Sequence, residues 1–305
     1  LSKVVNNYLE PTDEILIAEM GARRVGDIKQ LCKFINPKYA IITGIGNQHL
    51  LNFKTEENIL KTKNELVESL PKEEGIAVFN ANNEGALKLY DKCTLKKYAV
   101  GSSYKQSNIK ASNIKYSENG TTFSLTINKN SYNCKTMLLG EHNIENILLC
   151  VQFAKILGLS DEQILFGIAE LKPIPHRLEL IKTDSNIILD DSYNASVDGS
   201  SMALKTLKNF GKRRIVITPG LVELGEKEKE ENTNFGKKIA EVADIVVIVN
   251  KQNFEAIKQG LNEKGFKDEN IYQATTLEQA KILMKDFIKK DDAILFENDL
   301  PDNYI

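Results

Sequence analysis

The chain has 305 residues, and its 40 basic and 42 acidic side chains give a formal net charge of −2 at pH 7. Such a balanced charge produces no basic field, so we expect no nucleic-acid partner. No apolar stretch approaches the roughly 20 residues that a membrane-spanning helix needs, and no signal peptide is visible, so we expect no membrane insertion.

The four cysteines argue for a reducing compartment. Cys32, Cys93, Cys134 and Cys150 lie in or beside apolar segments and form no C-x-x-C pair. This usage is typical of reduced, packed thiols in a cytoplasmic protein, and it argues against a zinc ribbon or a disulfide framework.

The first half of the chain predicts alternating strands and helices. Apolar runs at 14–22 and 39–50, bounded by Gly and Pro, are typical of buried parallel strands. The other elements predicted here are helices at 24–35 and 55–70, a strand at 75–80 and a helix from Glu84.

Residues 95–139 differ in character, because they alternate and are rich in Ser, Thr and Asn. Glu118-Asn119-Gly120 is a tight-turn signal, so this segment predicts an antiparallel hairpin layer. An apolar helix is predicted next at 144–157, and Ser160 with Gln163 forms a capping-box pattern for the helix that follows.

Pro173-Ile174-Pro175 breaks the pattern, so we place a domain boundary there, with domains at 1–172 and 173–305. The second domain predicts a Rossmann-like open sheet of its own. Its strands are predicted at 178–190 (folding back at Asp184-Ser185-Asn186), 213–218, 244–249, 270–273 and 292–297, with helices beginning near Asp198, Glu228, Asn253 and Thr276. It lacks a G-x-G-x-x-G opening, so its fold class alone does not imply a nicotinamide cofactor.

Glu19 and His49 follow the apolar parts of the two runs at 14–22 and 39–50. Because open α/β sheets bind ligands beyond the carboxyl ends of their strands, both residues are candidates for a binding site. Taken alone, each has an ordinary alternative, which for the glutamate is a solvated side chain or an N-cap partner.

Lys63 falls on the face of the 55–70 helix that should be buried. It completes the i, i+3, i+4, i+7 stripe formed by Ile59, Leu60, Leu66, Val67 and Leu70. The side chain could snorkel, with a buried stem and a solvated ammonium. Alternatively, desolvation lowers its pKa, and the neutral amine adds carbon dioxide to become a carbamate, an oxygen ligand that suits Mg²⁺. Together, Glu19, His49 and Lys63 favour a magnesium site.

Seven segments, in order along the chain, resemble the motifs of a known enzyme family. They are E-M-G-A-R-R-V-G-D-I-K-Q-L-C (19–32), G-N-Q-H-L (46–50), K-T-K-N-E-L (61–66), G-E-H-N-I-E-N (140–146), P-H-R-L-E (175–179), D-D-S-Y-N-A-S (190–196) and V-E-L-G (222–225). In order and spacing they resemble motifs of the Mur ligase family, the ATP-dependent amide-forming enzymes of bacterial cell-wall synthesis. The E-M-G-A form with the following G-D-I-x-x-L-C resembles the member that adds D-alanyl-D-alanine to UDP-N-acetylmuramoyl-tripeptide.

The resemblance implies an α/β fold. A central ATPase domain, here truncated at its N-terminus, would combine a mostly parallel sheet with a small antiparallel layer and precede a Rossmann-like C-terminal domain. The ligands implied are ATP, Mg²⁺, UDP-N-acetylmuramoyl-tripeptide and D-alanyl-D-alanine, and we expect a monomer. In the implied reaction the peptide carboxylate attacks the γ-phosphate of ATP, and the dipeptide amine then displaces phosphate from the acyl phosphate.

The resemblance also implies catalytic and metal-binding roles for Glu19, His49 and an N6-carbamylated Lys63. It places the H-N-x-x-N segment beside the adenine, where Asn146 is the better candidate because Asn143 also suits a plain helix N-cap.

Arg177 is implied to reach the nucleotide phosphates, although it could simply pair with Glu179. Asp191 ends a strand, where its carboxylate can accept hydrogen bonds from ribose hydroxyls. Alternatively, it is a helix N-cap or a turn residue, which is the role that we expect for Asp190. Asn194 and the 222–225 loop are implied at the cleft edge, where the incoming dipeptide would bind.

Two departures from the family pattern stand out. The chain contains no G-x-x-x-x-G-K-[ST] phosphate loop, and only 18 residues precede Glu19. The sequence therefore predicts a fragment without the N-terminal domain and the phosphate loop, which binds ATP poorly and is inactive by itself. In addition, Ser196-Val197 replaces the usual N-P, and F-E-N-D-L-P-D-N-Y stands where related enzymes often carry a basic, Gly-containing segment, which leaves the exact acceptor amine open.

Three alternatives remain. Folylpolyglutamate synthase shares the architecture, but E-M-G-A-R argues against it. A ligase-like subunit with an inserted zinc ribbon would need four clustered cysteines. A non-catalytic binding or regulatory protein is the third, and an intact phosphate loop encoded upstream would argue against it.

Overall fold

A computed structural model of the chain describes residues 2–46, 53–193 and 196–298. Its helices are α1 (Ser2–Tyr8), α2 (Asp27–Ile35), α3 (Glu56–Glu68), α4 (Glu84–Lys92), α5 (Glu141–Ile156), α6 (Asp161–Glu170), α7 (Val197–Leu207), α8 (Glu228–Ala240), α9 (Phe254–Glu263) and α10 (Leu277–Met284). Its strands are β1 (Tyr39–Ile42), β2 (Ile76–Asn80), β3 (Lys96–Val100), β4 (Ile109–Ser117), β5 (Gly120–Ile127), β6 (Asn130–Thr136), β7 (Glu179–Lys182), β8 (Ile187–Asp191), β9 (Arg213–Thr218), β10 (Ile245–Val249), β11 (Ile271–Ala274) and β12 (Asp292–Glu297).

The first half contains two small sheets, as predicted. Strands β1, β2 and β3 form a parallel sheet, and β4, β5 and β6 form an antiparallel one. Helix α5 packs between them, with Ile144 and Leu148 buried in the same core as Val78 and Leu125. Strand β3 was not predicted separately, because its residues resemble the alternating segment that follows.

The predicted strand at 14–22 is wrong. These residues lie in no helix or strand of the structure, and Ile15, Leu16 and Ile17 are 57%, 39% and 88% exposed. The parallel sheet ends at β1, and within the described residues no strand pairs with this segment. An apolar run shows that a segment suits burial, but a strand also requires a hydrogen-bonded neighbour.

The second half is one six-stranded sheet in the order β11-β10-β9-β12-β8-β7, parallel except for the β7–β8 pair. The predicted fold-back at 184–186 is confirmed, and the predicted helix starts each agree within one residue. Leu189, Val216 and Leu295 lie in its core. This confirms the Rossmann-like architecture and puts the carboxyl ends of five parallel strands at one edge.

Local signals were equally reliable in the connecting helices. Ser160 and Gln163 form the predicted capping box at the start of α6.

No helix in the described part of the chain combines the length and apolarity that crossing a membrane would require.

Candidate functional site

Lys63 lies half-buried on α3, one turn from the buried residues Ile59 and Val67. Burial lowers the pKa of the Lys63 amine below its ordinary value, and the negative charge of Glu19 partly opposes that shift. The fold therefore brings Glu19 and Lys63 within electrostatic range of each other. His49 lies outside the described residues.

Glu19 and Lys63 suit a hard metal ion only if the Lys63 amine is carbamylated. Within the described ranges, no group of three or more His, Cys, Asp or Glu side chains could hold a metal. A protonated Lys63 repels a cation, whereas a carbamate on its nitrogen would add oxygens to those of Glu19. The lowered pKa favours the uncharged amine that carbon dioxide addition requires.

The segment after Glu19 is fixed to the helix that carries Lys63. Glu65, which is buried on α3, accepts hydrogen bonds from the backbone N–H groups of Gly26 at 2.7 Å and Lys29 at 2.9 Å. Gly26 adopts φ = 98°, a left-handed conformation that glycine takes without steric cost. Beside this turn lies an open pocket of about 640 Å³, lined in part by Arg23 and Arg24.

The two asparagines predicted to bind the nucleotide, Asn143 and Asn146, lie near the N-terminus of α5 in different environments. Gly140 is the N-cap, so the N-cap interpretation of Asn143 is wrong; its side-chain amide instead donates to the Leu139 carbonyl at 2.7 Å. Asn146 is exposed one turn further along. A Cβ on Gly140 would meet the His142 ring at 2.6 Å, so only glycine leaves room for that ring.

Two further residues of this helix start were missed by the sequence analysis. His142 Nδ1 is buried and has no hydrogen-bond partner among the described residues, and burial lowers the pKa of this imidazole. Glu145 is buried and accepts from the side-chain amides of Asn80 at 2.9 Å and Asn82 at 2.7 Å. This network ties α5 to the carboxyl end of β2, and it fixes where His142 and Asn146 project.

Arg177 lies on an unusual linker. No ion pair with Glu179 is present; the guanidinium lies over the Tyr193 ring, 4.2 Å from its centroid. The residues on either side, His176 and Leu178, have φ values of 63° and 52°. Such left-handed conformations are uncommon outside glycine and mark a backbone that its surroundings hold in place.

The carboxyl end of β8 holds this linker. The Leu178 N–H donates to Asp191 Oδ1 at 2.9 Å, and the Tyr193 N–H donates to the His176 carbonyl at 3.2 Å. Asp191 is not a helix N-cap, because Ser196 caps α7. Asp190 is the turn residue that we predicted, since its Oδ1 accepts from the Ser192 N–H.

Asp191 has a carboxyl neighbour that the sequence analysis did not single out. Its Cα partner in the next strand is Glu297, which is fully buried and accepts no hydrogen bond on either side-chain oxygen from the described part of the chain. Burial raises the pKa of Asp191 to about 6, and it raises that of Glu297 well above its ordinary value, with Asp191 adding to the shift.

The raised pKa of Glu297 predicts a pH-dependent stability. The folded protein retains a proton that the unfolded chain loses above pH 4.5, so the free energy of unfolding falls as pH rises above that value. We expect the free energy of unfolding of Glu297→Gln not to fall in this way. The difference between the variant and the wild type should therefore grow with pH, by up to about 1.4 kcal/mol per pH unit. Urea denaturation at several pH values from about 5 to about 8 measures the free energy of unfolding of both proteins. The same pH dependence in the variant and the wild type would contradict the prediction.

The 222–225 loop follows β9 at the same edge. Glu223 adopts φ = 63°, and the loop start is fixed by Asn232, whose side chain exchanges two hydrogen bonds with the backbone of Leu221 at 2.9 and 2.8 Å. Asn194, predicted to lie nearby, is outside the described residues.

Comparisons with known proteins agree with this arrangement. The family model of the Mur ligase middle domain matches residues 1–154, and that of the Mur ligase glutamate ligase domain matches residues 176–297. The UDP-N-acetylmuramoyl-tripeptide–D-alanyl-D-alanine ligases of Bacillus subtilis (strain 168) and Escherichia coli (strain K12) are 29% and 30% identical over 93% and 80% of this chain.

A solved structure is also similar. The MurF ligase from Thermotoga maritima in complex with ADP superimposes with a TM-score of 0.83 at 25% identity, covering 97% of this chain and 66% of that one. The chain spans 61% and 55% of the lengths of the B. subtilis and E. coli relatives. Because the two family models together match most of its residues, the chain belongs to the Mur ligase family.

Proposed function

We propose that the protein, in its natural length, is an ATP-dependent ligase that joins D-alanyl-D-alanine to UDP-N-acetylmuramoyl-tripeptide in the bacterial cytoplasm, as a monomer. The observation that carries the proposal is the pairing of Glu19 with the desolvated Lys63 in a chain whose relatives bear that ligase name. We also propose domains at 1–172 and 173–305, a boundary that falls between the two matched ranges.

The first step needs charge neutralisation. Two anions, the peptide carboxylate and the γ-phosphate, must approach each other. Glu19, His49 and a carbamylated Lys63 would hold Mg²⁺, which supplies that neutralisation when bound. The half-buried position of Lys63 supports this role, because desolvation keeps its amine available for carbon dioxide.

The nucleotide would lie between the start of α5 and the end of β8. Asn146 is exposed, and His142 Nδ1 has no hydrogen-bond partner within residues 2–46, 53–193 and 196–298, so both are candidates to hydrogen-bond an adenine edge. Asn143 contributes less, because its amide already bonds Leu139. Arg177 would neutralise the phosphates and Asp191 would accept from the ribose.

The acceptor amine would enter beside Asn194 and the 222–225 loop. Its nitrogen lone pair attacks the carbonyl carbon of the acyl phosphate, the amide C–N bond forms, and inorganic phosphate leaves with the electrons of the broken C–O bond. The hydrogen bonds of Asn232 fix the loop, so positioning is the contribution we assign to it.

Phosphate release tests the proposal. We expect release from ATP with UDP-N-acetylmuramoyl-tripeptide to depend on D-alanyl-D-alanine in the protein of natural length. Turnover with glutamate and a folate instead would indicate a folylpolyglutamate synthase. No turnover with any acceptor would favour the second candidate, a non-catalytic binding protein.

The stacking of Arg177 on Tyr193 gives a further prediction. We expect Arg177→Ala to lower kcat/KM for ATP by about 100-fold, because a charge-assisted phosphate contact is lost. Tyr193→Leu should raise KM for ATP two- to fivefold, since an exposed cation–π contact contributes about 0.5–1 kcal/mol. Tyr193→Phe keeps the ring and should behave like the wild type; equal effects of both Tyr193 variants would contradict the stacking role.

A further inference from the structure

One buried carboxylate on α5 joins the loops that follow three parallel strands. Glu145 accepts hydrogen bonds from the side-chain amides of Asn80 at 2.9 Å and Asn82 at 2.7 Å, and both asparagines lie at the carboxyl end of β2. The amide of Asn80 also donates to the Thr43 carbonyl, just beyond β1, at 2.8 Å. That of Asn82 also donates to the Ser102 hydroxyl, just beyond β3, at 2.7 Å. One side chain of α5 therefore connects the carboxyl ends of β1, β2 and β3.

The orientation of both side-chain amides is fixed by further hydrogen bonds. Asn80 Oδ1 accepts from the Asn82 backbone N–H at 2.9 Å, and Asn82 Oδ1 accepts from the Ser103 backbone N–H at 3.2 Å. If either amide turned over, its NH₂ group would face a backbone donor. Each asparagine therefore presents a donor to Glu145, and a carboxylate, which only accepts, is the group that matches two donors.

Glu145 is an unusual residue for its position. It is only 9% exposed, and its neighbours Ile144 and Leu148 on α5 are fully buried. Its two partners are neutral amides, whose hydrogen bonds only partly offset the cost of removing a carboxylate from water. Apolar residues in place of a buried polar cluster are often at least as stabilising. The carboxylate is therefore better explained by the groups that it holds in place than by stability.

The residue after Glu145 is the candidate base contact. Asn146 is exposed on the turn of α5 that Glu145 attaches to the strand ends, and the carboxyl ends of parallel strands form the ligand edge of an open α/β sheet. An asparagine amide recognises adenine through a pair of hydrogen bonds, which demands accurate placement. We propose that Glu145 is a positioning residue, which holds the start of α5 and the three loops as one unit and thereby sets the Asn146 amide against the nucleotide base. The inference rests on the proposed use of ATP.

Base discrimination measures this positioning. Inosine diphosphate carries a carbonyl where the adenine of ADP carries its amino group, so the ratio of the two dissociation constants reports the contact between the amide and the base. A partly unfolded variant binds both nucleotides more weakly by the same factor, so the ratio does not depend on the folded fraction. Both constants are measured by calorimetric titration of the protein of natural length. We expect the wild type to prefer ADP by about tenfold or more.

Exchanging the polarity of one hydrogen bond tests the role of Glu145. In Glu145→Gln the new NH₂ group faces one of the two asparagine donors, so the preference for ADP should fall to about threefold or less. Asn82→Asp instead brings two carboxylates together and should lower the preference similarly. In the double variant the glutamine donates to the new aspartate and still accepts from Asn80, and the Ser102 hydroxyl can donate where it accepted. The preference should then return to within about twofold of the wild type.

Glu141→Gln is the matched control, because it makes the same change one turn earlier on α5 and should leave the preference unchanged. Three results would overturn the inference and leave the proposed function standing: an unchanged preference in Glu145→Gln, an equal loss in Glu141→Gln, or a double variant no better than Glu145→Gln alone. Equal binding of both nucleotides by the wild type would do the same. Failure of the wild type to bind ADP at all would contradict the proposed function and, with it, the inference.

Discussion

Lys63→Ala is expected to lower turnover of the proposed ligase reaction by about 100-fold or more, because the variant would lose a group proposed to hold Mg²⁺ between the two reacting anions. Lys61→Ala is the matched control, since Lys61 lies two residues away on the same helix with an exposed side chain. It should leave turnover unchanged. The measurement is phosphate release with saturating tripeptide substrate and dipeptide.

The proposed carbamate on Lys63 leads to a second, independent expectation. Short carboxylic acids such as acetate should partly restore Lys63→Ala, because they supply the missing oxygens, and they should have no effect on the wild type. With carbon-13 bicarbonate, the wild type should show a carbamate resonance that Lys63→Ala lacks. Wild-type turnover in Lys63→Ala, or a nucleotide-bound enzyme with a free Lys63 amine, would contradict this role.

Gly260→Ala is expected to destabilise the protein by about 3 kcal/mol or more, as overpacking against backbone allows no local relief. Helices α8 and α9 approach so closely that a Cβ on Gly260 would overlap the Thr233 carbonyl oxygen and lie 2.9 Å from the Lys237 nitrogen. Gly236 is the corresponding glycine on α8, where a Cβ would overlap the Ile257 carbonyl. Urea denaturation measures the loss.

Gly167→Ala is the control for this effect. Gly167 is exposed on α6, and a Cβ there would have no atom within 4 Å. Alanine should therefore stabilise the protein by about 0.5–1 kcal/mol through helix propensity alone. Equal unfolding midpoints for Gly260→Ala and the wild type would show that the two helices can separate without cost.

Secondary structure in the second half was predictable because its signals are local. The run I-V-V-I-V at 245–249 has a β-branched residue at every position, and four of its five residues are buried, as a strand covered on both faces should be. The segment 14–22 also contains an apolar run, I-L-I-A, but a strand needs a neighbouring strand to pair with, and composition does not reveal one.

The candidate site was predictable only where a residue stands out in its own segment. Lys63 interrupts an apolar stripe, so its desolvation could be foreseen from spacing alone. Glu297 ends the apolar strand β12, but its burial next to Asp191 depends on pairing with a strand that is distant in sequence. The contact of Arg177 with Tyr193 depends on the left-handed backbone conformations of His176 and Leu178. Neither residue type predicts such a conformation.

The most direct test of the proposed function follows an oxygen atom. UDP-N-acetylmuramoyl-tripeptide labelled with oxygen-18 in its terminal carboxylate is incubated with ATP, D-alanyl-D-alanine and the protein of natural length, and the products are analysed by mass spectrometry. We predict one labelled oxygen in the released phosphate and one in the new amide, since an acyl phosphate divides them. Phosphate without label, or no amide product, would contradict the proposed ligase.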